Sequence, residues 1–210
     1  MTHEETEAKP LRRDAELNLA RILLAARDVF AEHGYEASME QIAARAEVGI
    51  GTLYRRFPNK ADLCAAVVDA ATDRTRQIAD EVLLEVAPGD AVFEFIRRCV
   101  DAPSSWRAAT SRRPWSEGGA DRALATMVPL IGRILEAGQR AGTVRPDIVP
   151  TDLVVTLMSV RAIGDLCDAD APGTSRRFLT FALDGLRPGH RTPEQGPMSV
   201  TQLGRVLTDR

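Results

Sequence analysis

Between Gly49 and Lys60 the chain concentrates groups that bind phosphate: the hydroxyls of Thr52 and Tyr54 and the cations of Arg55, Arg56 and Lys60. Such groups contact the sugar-phosphate backbone of nucleic acids, fixing position without reading sequence. The same segment holds Gly49 and Gly51. A glycine inside a helix costs about 0.8–1 kcal/mol relative to alanine, and Gly51 has no evident stabilising role. A helix that enters a groove gains from bare backbone where it meets the duplex. From Ser38 to Lys60 there are four basic and two acidic residues, although the 210-residue chain has a net charge of -3. Nucleic-acid binding must therefore come from this local patch.

Positioning these groups requires two short helices and a tight turn. Ser38-Met39-Glu40-Gln41 is a capping box: the serine hydroxyl accepts from a backbone N–H and Gln41 reaches back to the cap. Ile42, Ala43 and Ala46 carry the helix that follows, and Ala46-Glu47-Val48 makes the turn. The next helix starts near Gly49 and stops by Phe57-Pro58. Leu53 and Phe57, four apart, anchor one face. Ile50, Gly51, Thr52, Tyr54 and Arg55 remain on the others. Upstream, a helix from Asp14 to His33 places Ile22, Ala26, Val29 and Phe30 on one face, and Gly34 ends it. Downstream, Asn59 caps a longer helix with a buried stripe through Leu63, Val67, Ala70, Ala71, Ile78 and Val82. Lys60 opens that helix, where free N–H groups attract an anion.

Apolar residues recur at helical spacing through the rest of the chain, and no strand pattern is found. Helices are predicted over Asp90–Asp101, Asp121–Ala141, a segment capped by Thr151 and running to Cys167, and Ser175–Leu186. The stretch from Ser104 to Gly119 is broken by Pro114 and Gly118-Gly119 and predicts at most a short helix from Trp106 to Ser111. The fold class is all-α: an N-terminal three-helix helix-turn-helix head joined to a larger helical body. The expected divisions are a flexible arm over 1–13, the head over 14–60, a ligand-binding and dimerisation body over 61–187, and a mobile tail over 188–210. Lys9, Arg12 and Arg13 in the arm are placed to reach an adjacent minor groove.

The segment from Arg21 to Leu63, about a fifth of the chain, resembles the tetracycline-repressor (TetR) family. The residues that carry the resemblance are Arg21-Ile22-Leu23, Ala25-Ala26, Phe30, Gly34-Tyr35, Ser38, Ile42-Ala43, Ala46, Val48, Gly51-Thr52-Leu53-Tyr54, Phe57 and Asn59-Lys60. It implies an Ω-like homodimer of all-α subunits, a recognition helix in the major groove and a small-molecule effector pocket in the body. It further implies phosphate contacts from Thr52, Tyr54 and Lys60, with Ser38 and Arg56 alongside, and base reading at Ile50, Gly51 and Arg55. The expected function is a ligand-responsive repressor that binds a palindromic operator as a dimer. Two residues depart from the family pattern: Glu47 stands where the turn usually has glycine, and Gly49 where the recognition helix often opens with serine or threonine. Glu47 must then take an unusual backbone conformation or shift the turn.

In the body, Phe95, Cys99, Trp106, Trp115 and Met127 are candidate lining for an apolar pocket, with Arg112 facing an anionic ligand. Two helices are apolar nearly all round, through Leu153, Leu157 and Val160 and through Phe178, Phe181 and Ala182. One face of each would pack on its own subunit and the other on a partner. No enzymatic constellation is legible. His3, His33 and His190 are scattered, and there is no P-loop, dinucleotide fingerprint or nucleophile elbow. No catalytic residue, metal site or cofactor is expected. The three cysteines, Cys64, Cys99 and Cys167, lack ligand spacing and read as small core residues. No segment is long and apolar enough to span a bilayer, so a cytoplasmic protein is expected.

Overall fold

The structure is a computed structural model and describes residues 8–102 and 119–208. Its described residues form nine α-helices and no strand. In order these are α1 (Ala8–His33), α2 (Met39–Arg45), α3 (Ile50–Arg56), α4 (Lys60–Glu85), α5 (Ala91–Asp101), α6 (Gly119–Arg140), α7 (Pro150–Cys167), α8 (Thr174–Gly185) and α9 (Val200–Thr208). A short 3-10 turn, Gly34–Glu36, follows α1. The chain divides into two compact units within α4, the first ending at Ala70 and the second resuming at Ala71. No helix among the described residues is long and apolar enough to cross a membrane.

The first unit closes on one apolar cluster. From α1 it takes Ile22, Ala25, Ala26, Val29 and Phe30, the 3-4 spacing of a single helix face. Met39, Ile42, Ala43 and Ala46 add the inner face of α2. Leu53 and Phe57 pin α3, and Leu63, Cys64 and Val67 bring in the start of α4. Gly34 has φ 62, so α1 stops at a conformation that favours glycine. An ion pair braces the outside: Arg45 Nη1 and Nη2 donate to Glu32 Oε1 and Oε2 at 3.0 and 2.8 Å.

In the second unit α5 packs on α6 and α7, α6 on α7 and α9, and α7 on α8. Its core holds Val92, Phe93, Phe95, Ile96 and Cys99 from α5, with Leu124, Met127, Ile131 and Ile134 from α6. Leu153, Val154, Leu157 and Val160 come from α7, and Leu179 and Leu183 from α8.

Three sequence expectations are corrected here. Helix α1 begins at Ala8, so the end of the segment assigned to a flexible arm is helical. Thr151 does not cap α7: the cap is Val149, whose N–H donates to Asp152 Oδ2 at 2.9 Å, and Pro150 takes the first helical position. Thr151 is buried and its hydroxyl donates to the Met198 carbonyl at 2.7 Å. Finally, the segment from 188 onward, expected to be a mobile tail, carries a packed helix over Val200–Thr208. Its helix α9 buries Leu203 and Leu207 and packs on α6. Ser199 and Gln202 form a second capping box, with Ser199 N–H to Gln202 Oε1 at 2.8 Å and Gln202 N–H to Ser199 Oγ at 3.2 Å.

Candidate nucleic-acid interface

The turn between α2 and α3 follows from how α2 ends. The Val48 N–H reaches the Ala43 carbonyl at 3.0 Å and the Glu47 N–H the Ala44 carbonyl at 3.2 Å. This nested pair is a Schellman motif, which places its penultimate residue in the left-handed region. Glu47 occupies that place with φ 55, the only non-glycine residue with positive φ among those described. The departure from the family pattern is therefore absorbed as local strain at Glu47. Val48, half-buried, packs against the head's core and sets the direction in which α3 leaves.

Helix α2 is fixed at its start by the expected capping box: Ser38 N–H donates to Gln41 Oε1 at 2.7 Å, and Gln41 N–H to Ser38 Oγ at 3.2 Å. Ser38 is half-buried and its oxygen is occupied by the cap. Helix α3 has seven residues, about 10 Å of helix at 1.5 Å per residue. Leu53 is fully buried and Phe57 nearly so, which turns the remaining side chains away from the core. Ile50 is 40% and Tyr54 43% exposed. Gly49, Gly51, Arg55 and Arg56 are exposed and Thr52 is half-buried. A Cβ added to Gly51 would meet nothing within 4 Å, and one on Gly49 would meet only Thr52 Oγ1 at 3.9 Å. Neither has positive φ. The subunit's own packing requires neither glycine.

Asn59 caps α4 as predicted, accepting from the Asp62 N–H at 2.9 Å. That fixes the first turn of α4 and with it Lys60, which is half-buried. Arg45, counted among the positive groups of this segment, is held by Glu32, and each holds the other in its charged form. The outward cations of the helix pair are thus Arg55 and Arg56, with Lys60 at the next helix start. The bracing by Glu32 was missed because it lies thirteen positions from Arg45, beyond any local pattern.

The body candidates divide. Phe95, Cys99 and Met127 are buried in the second unit. Burial pushes the Cys99 thiol up to about 12, and that of Cys64 in the first unit likewise to about 12, so both stay protonated core residues. Trp106, Arg112 and Trp115 lie outside the described residues. Of the residues expected at a dimer interface, Leu153, Leu157 and Val160 are buried within their own subunit. A helix that is apolar all round does not reveal which side meets the subunit's own core. Phe178 and Ala182 are half-buried, and Phe181 is 58% exposed with the Arg177 guanidinium over its ring at 5.1 Å.

A small anchored helix behind a strained turn, presenting bare backbone, hydroxyls and cations, defines a helix-turn-helix regulator of transcription. Comparison with known proteins agrees. Residues 22–67 match the model for bacterial regulatory proteins of the tetR family, and residues 87–188 match the C-terminal domain of SbtR-like transcriptional regulators. A TetR transcription regulatory protein from Mycobacterium vanbaalenii is 34% identical, with 85% of this chain and 99% of that one covered and a TM-score of 0.61. The chain belongs to the TetR family. A helix-turn-helix transcriptional regulator of Staphylococcus aureus is 41% identical over 76 residues, 34% of this chain and 41% of that protein. The match thus spans about two fifths of the curated relative's length. At the level of fold alone, AibR in complex with isovaleryl coenzyme A and operator DNA is 21% identical, with 81% and 98% of the two chains covered and a TM-score of 0.61. The first two of these relatives are named as regulators of transcription.

Proposed function

We propose that this protein is a dimeric cytoplasmic repressor that binds a palindromic operator through α3 and leaves it when a small molecule occupies the body. The observation that carries the reading is the outer face of α3. Two glycines that the subunit's packing does not need lie among Ile50, Thr52, Tyr54 and Arg55, and buried Leu53 and Phe57 hold that face outward. In the proposed complex Thr52, Tyr54, Arg56 and Lys60 bind phosphates, and Ser38 approaches the backbone at the start of α2. Ile50, Gly51 and Arg55 read base edges, for which an arginine offers a bidentate match to guanine.

The partner subunit would cover the outer faces of α7 and α8. Val155, Ala162 and Leu166 share one exposed face of α7, and Phe181 stands out from α8 with Phe178 and Ala182 beside it. Leu166 is 79% exposed, a large apolar side chain that a second copy would cover. Twofold pairing sets two heads on successive major grooves, roughly 34–36 Å apart. A ligand that favours the other arrangement weakens operator binding by the same coupling energy. AibR carries both isovaleryl coenzyme A and operator DNA, which supports a body that takes a small molecule while the head takes DNA.

Selection of bound duplexes from a randomised pool, followed by titration at two salt concentrations, tests the reading. An inverted repeat should be enriched and bound with a steep salt slope. Absence of sequence enrichment at any salt would refute it. Phe181→Glu should shift the dimer to monomer in analytical ultracentrifugation and weaken operator binding with it.

A further inference from the structure

The seven residues of α3, all described, divide by chemistry. Leu53 is buried in the core, and Thr52, Tyr54, Arg55 and Arg56 carry polar atoms that phosphates or base edges can bind. Gly51 has no side chain. That leaves Ile50, which is 40% exposed and has no polar atom to offer. It belongs neither to the apolar cluster of the first unit nor to the half-buried residues packed against that cluster, Leu19, Leu23, Val48 and Ala66. The core does not require it. Nor does the helix, since a β-branched residue is a poorer helix former than alanine.

Its position gives the residue a use. Ile50 is the first residue of α3, directly after the cap Gly49. Side chains on a helix lean toward its N-terminus, so Ile50 projects past the tip of α3. In a helix-turn-helix the N-terminal residues of the recognition helix reach the base edges. Gly49 and Gly51 flank Ile50 without side chains, and a Cβ on either would meet no atom closer than 3.9 Å. One aliphatic group thus stands between two stretches of bare backbone, its χ1 confined by branching at Cβ. The base edges in the major groove are donors and acceptors, with a single apolar feature, the 5-methyl group of thymine. Against any other edge an isoleucine would strip water from a donor or acceptor without replacing the hydrogen bond. Against thymine it buries a methyl group on an aliphatic surface.

We infer that Ile50 selects thymine: each half-site of the operator holds a thymine whose 5-methyl group packs on this side chain. The inference rests on the operator reading above and names the base that one of its residues takes. The test starts from the duplex enriched by selection and replaces each thymine of one half-site in turn by uracil. That exchange removes the methyl group and leaves every donor and acceptor in place. Anisotropy with the full-length protein measures affinity. One position should lose about fourfold, the worth of one buried methyl, and about fifteenfold when both half-sites are changed. A cytosine placed there should bind more tightly once it carries a 5-methyl group. Ile50→Ala, shown to be folded by circular dichroism, should bind the thymine and uracil operators equally. Ile50→Val should keep part of the preference.

If no thymine is sensitive to loss of its methyl group, the inference is overturned while the operator reading stands. Sensitivity that persists undiminished in Ile50→Ala also overturns it, since the methyl group would then act through the shape of the duplex. If selection enriches no duplex, the operator reading itself fails and this inference falls with it.

Discussion

In the first unit, the groups proposed to contact DNA face outward, and the residues that aim them fall within one short run of sequence. In the second unit the half-buried guanidinium of Arg161 donates to the Cys99 carbonyl, 62 residues away. Both units use the same inner material, helices with apolar faces at 3-4 spacing. They differ in the sequence distance over which polar groups are positioned. The head leaves hydroxyls and cations to water, where waiting for a ligand costs little. The comparison teaches that polar groups aimed by their neighbours in sequence can be read locally, whereas contacts made across distant segments cannot.

Changes at the buried anchor of α3 should do the most damage. Leu53→Ala removes a side chain with no exposure and should cost about 2–5 kcal/mol, read as a fall in Tm by circular dichroism with loss of operator binding. Arg55→Ala, on the opposite face, should leave the Tm in place. It should cost about 1–3 kcal/mol of discrimination at one base pair, measured by titrating single-base operator variants. Lys60→Ala should weaken binding to all duplexes alike and flatten the salt slope by about one unit. Glu47→Gly should relieve the left-handed strain and raise stability by up to about 1 kcal/mol. A loss of stability there would show that the Glu47 side chain does something the geometry does not reveal.

The smallest effect is one of pH. The guanidinium of Arg145 holds the Asp147 carboxyl below its usual range. A carboxylate with a lowered folded-state pKa stabilises the fold fully above its unfolded value, near 4. That contribution disappears as pH falls through the folded value. The Tm should therefore drop more steeply below about pH 4 in the wild type than in Asp147→Asn. Equal slopes would remove Asp147 from the acid response.

How much was legible follows the same division. The capping box at Ser38, the cap at Asn59, the stop at Gly34 and the anchors Leu53 and Phe57 are all local patterns, and the structure contains each of them. The strained alternative for Glu47 could be named because the family that the chain resembles usually has glycine at that place, a residue that takes left-handed backbone freely. The bracing of Arg45 by Glu32 and the contact of Arg161 with the Cys99 carbonyl were not legible, because each joins segments separated in sequence. The tail shows a second kind of failure. Ser199 to Gln202 repeats the spacing of Ser38 to Gln41, and Leu203 and Leu207 follow at helical spacing. The Pro and Gly residues that precede it outweighed that signal. Leu153, Leu157 and Val160, expected at an interface, are buried within their own subunit, and apolarity alone does not separate a subunit's core from a covered surface.

The central claim is that α3 presents bare backbone to a groove, and Gly51→Leu tests it most directly. An added Cβ there has open space, and leucine is the better helix former by most of about 1 kcal/mol. The Tm should therefore hold or rise while affinity for the selected operator, measured by anisotropy, falls at least tenfold. Operator affinity equal to the wild type in a stably folded Gly51→Leu protein would contradict the account.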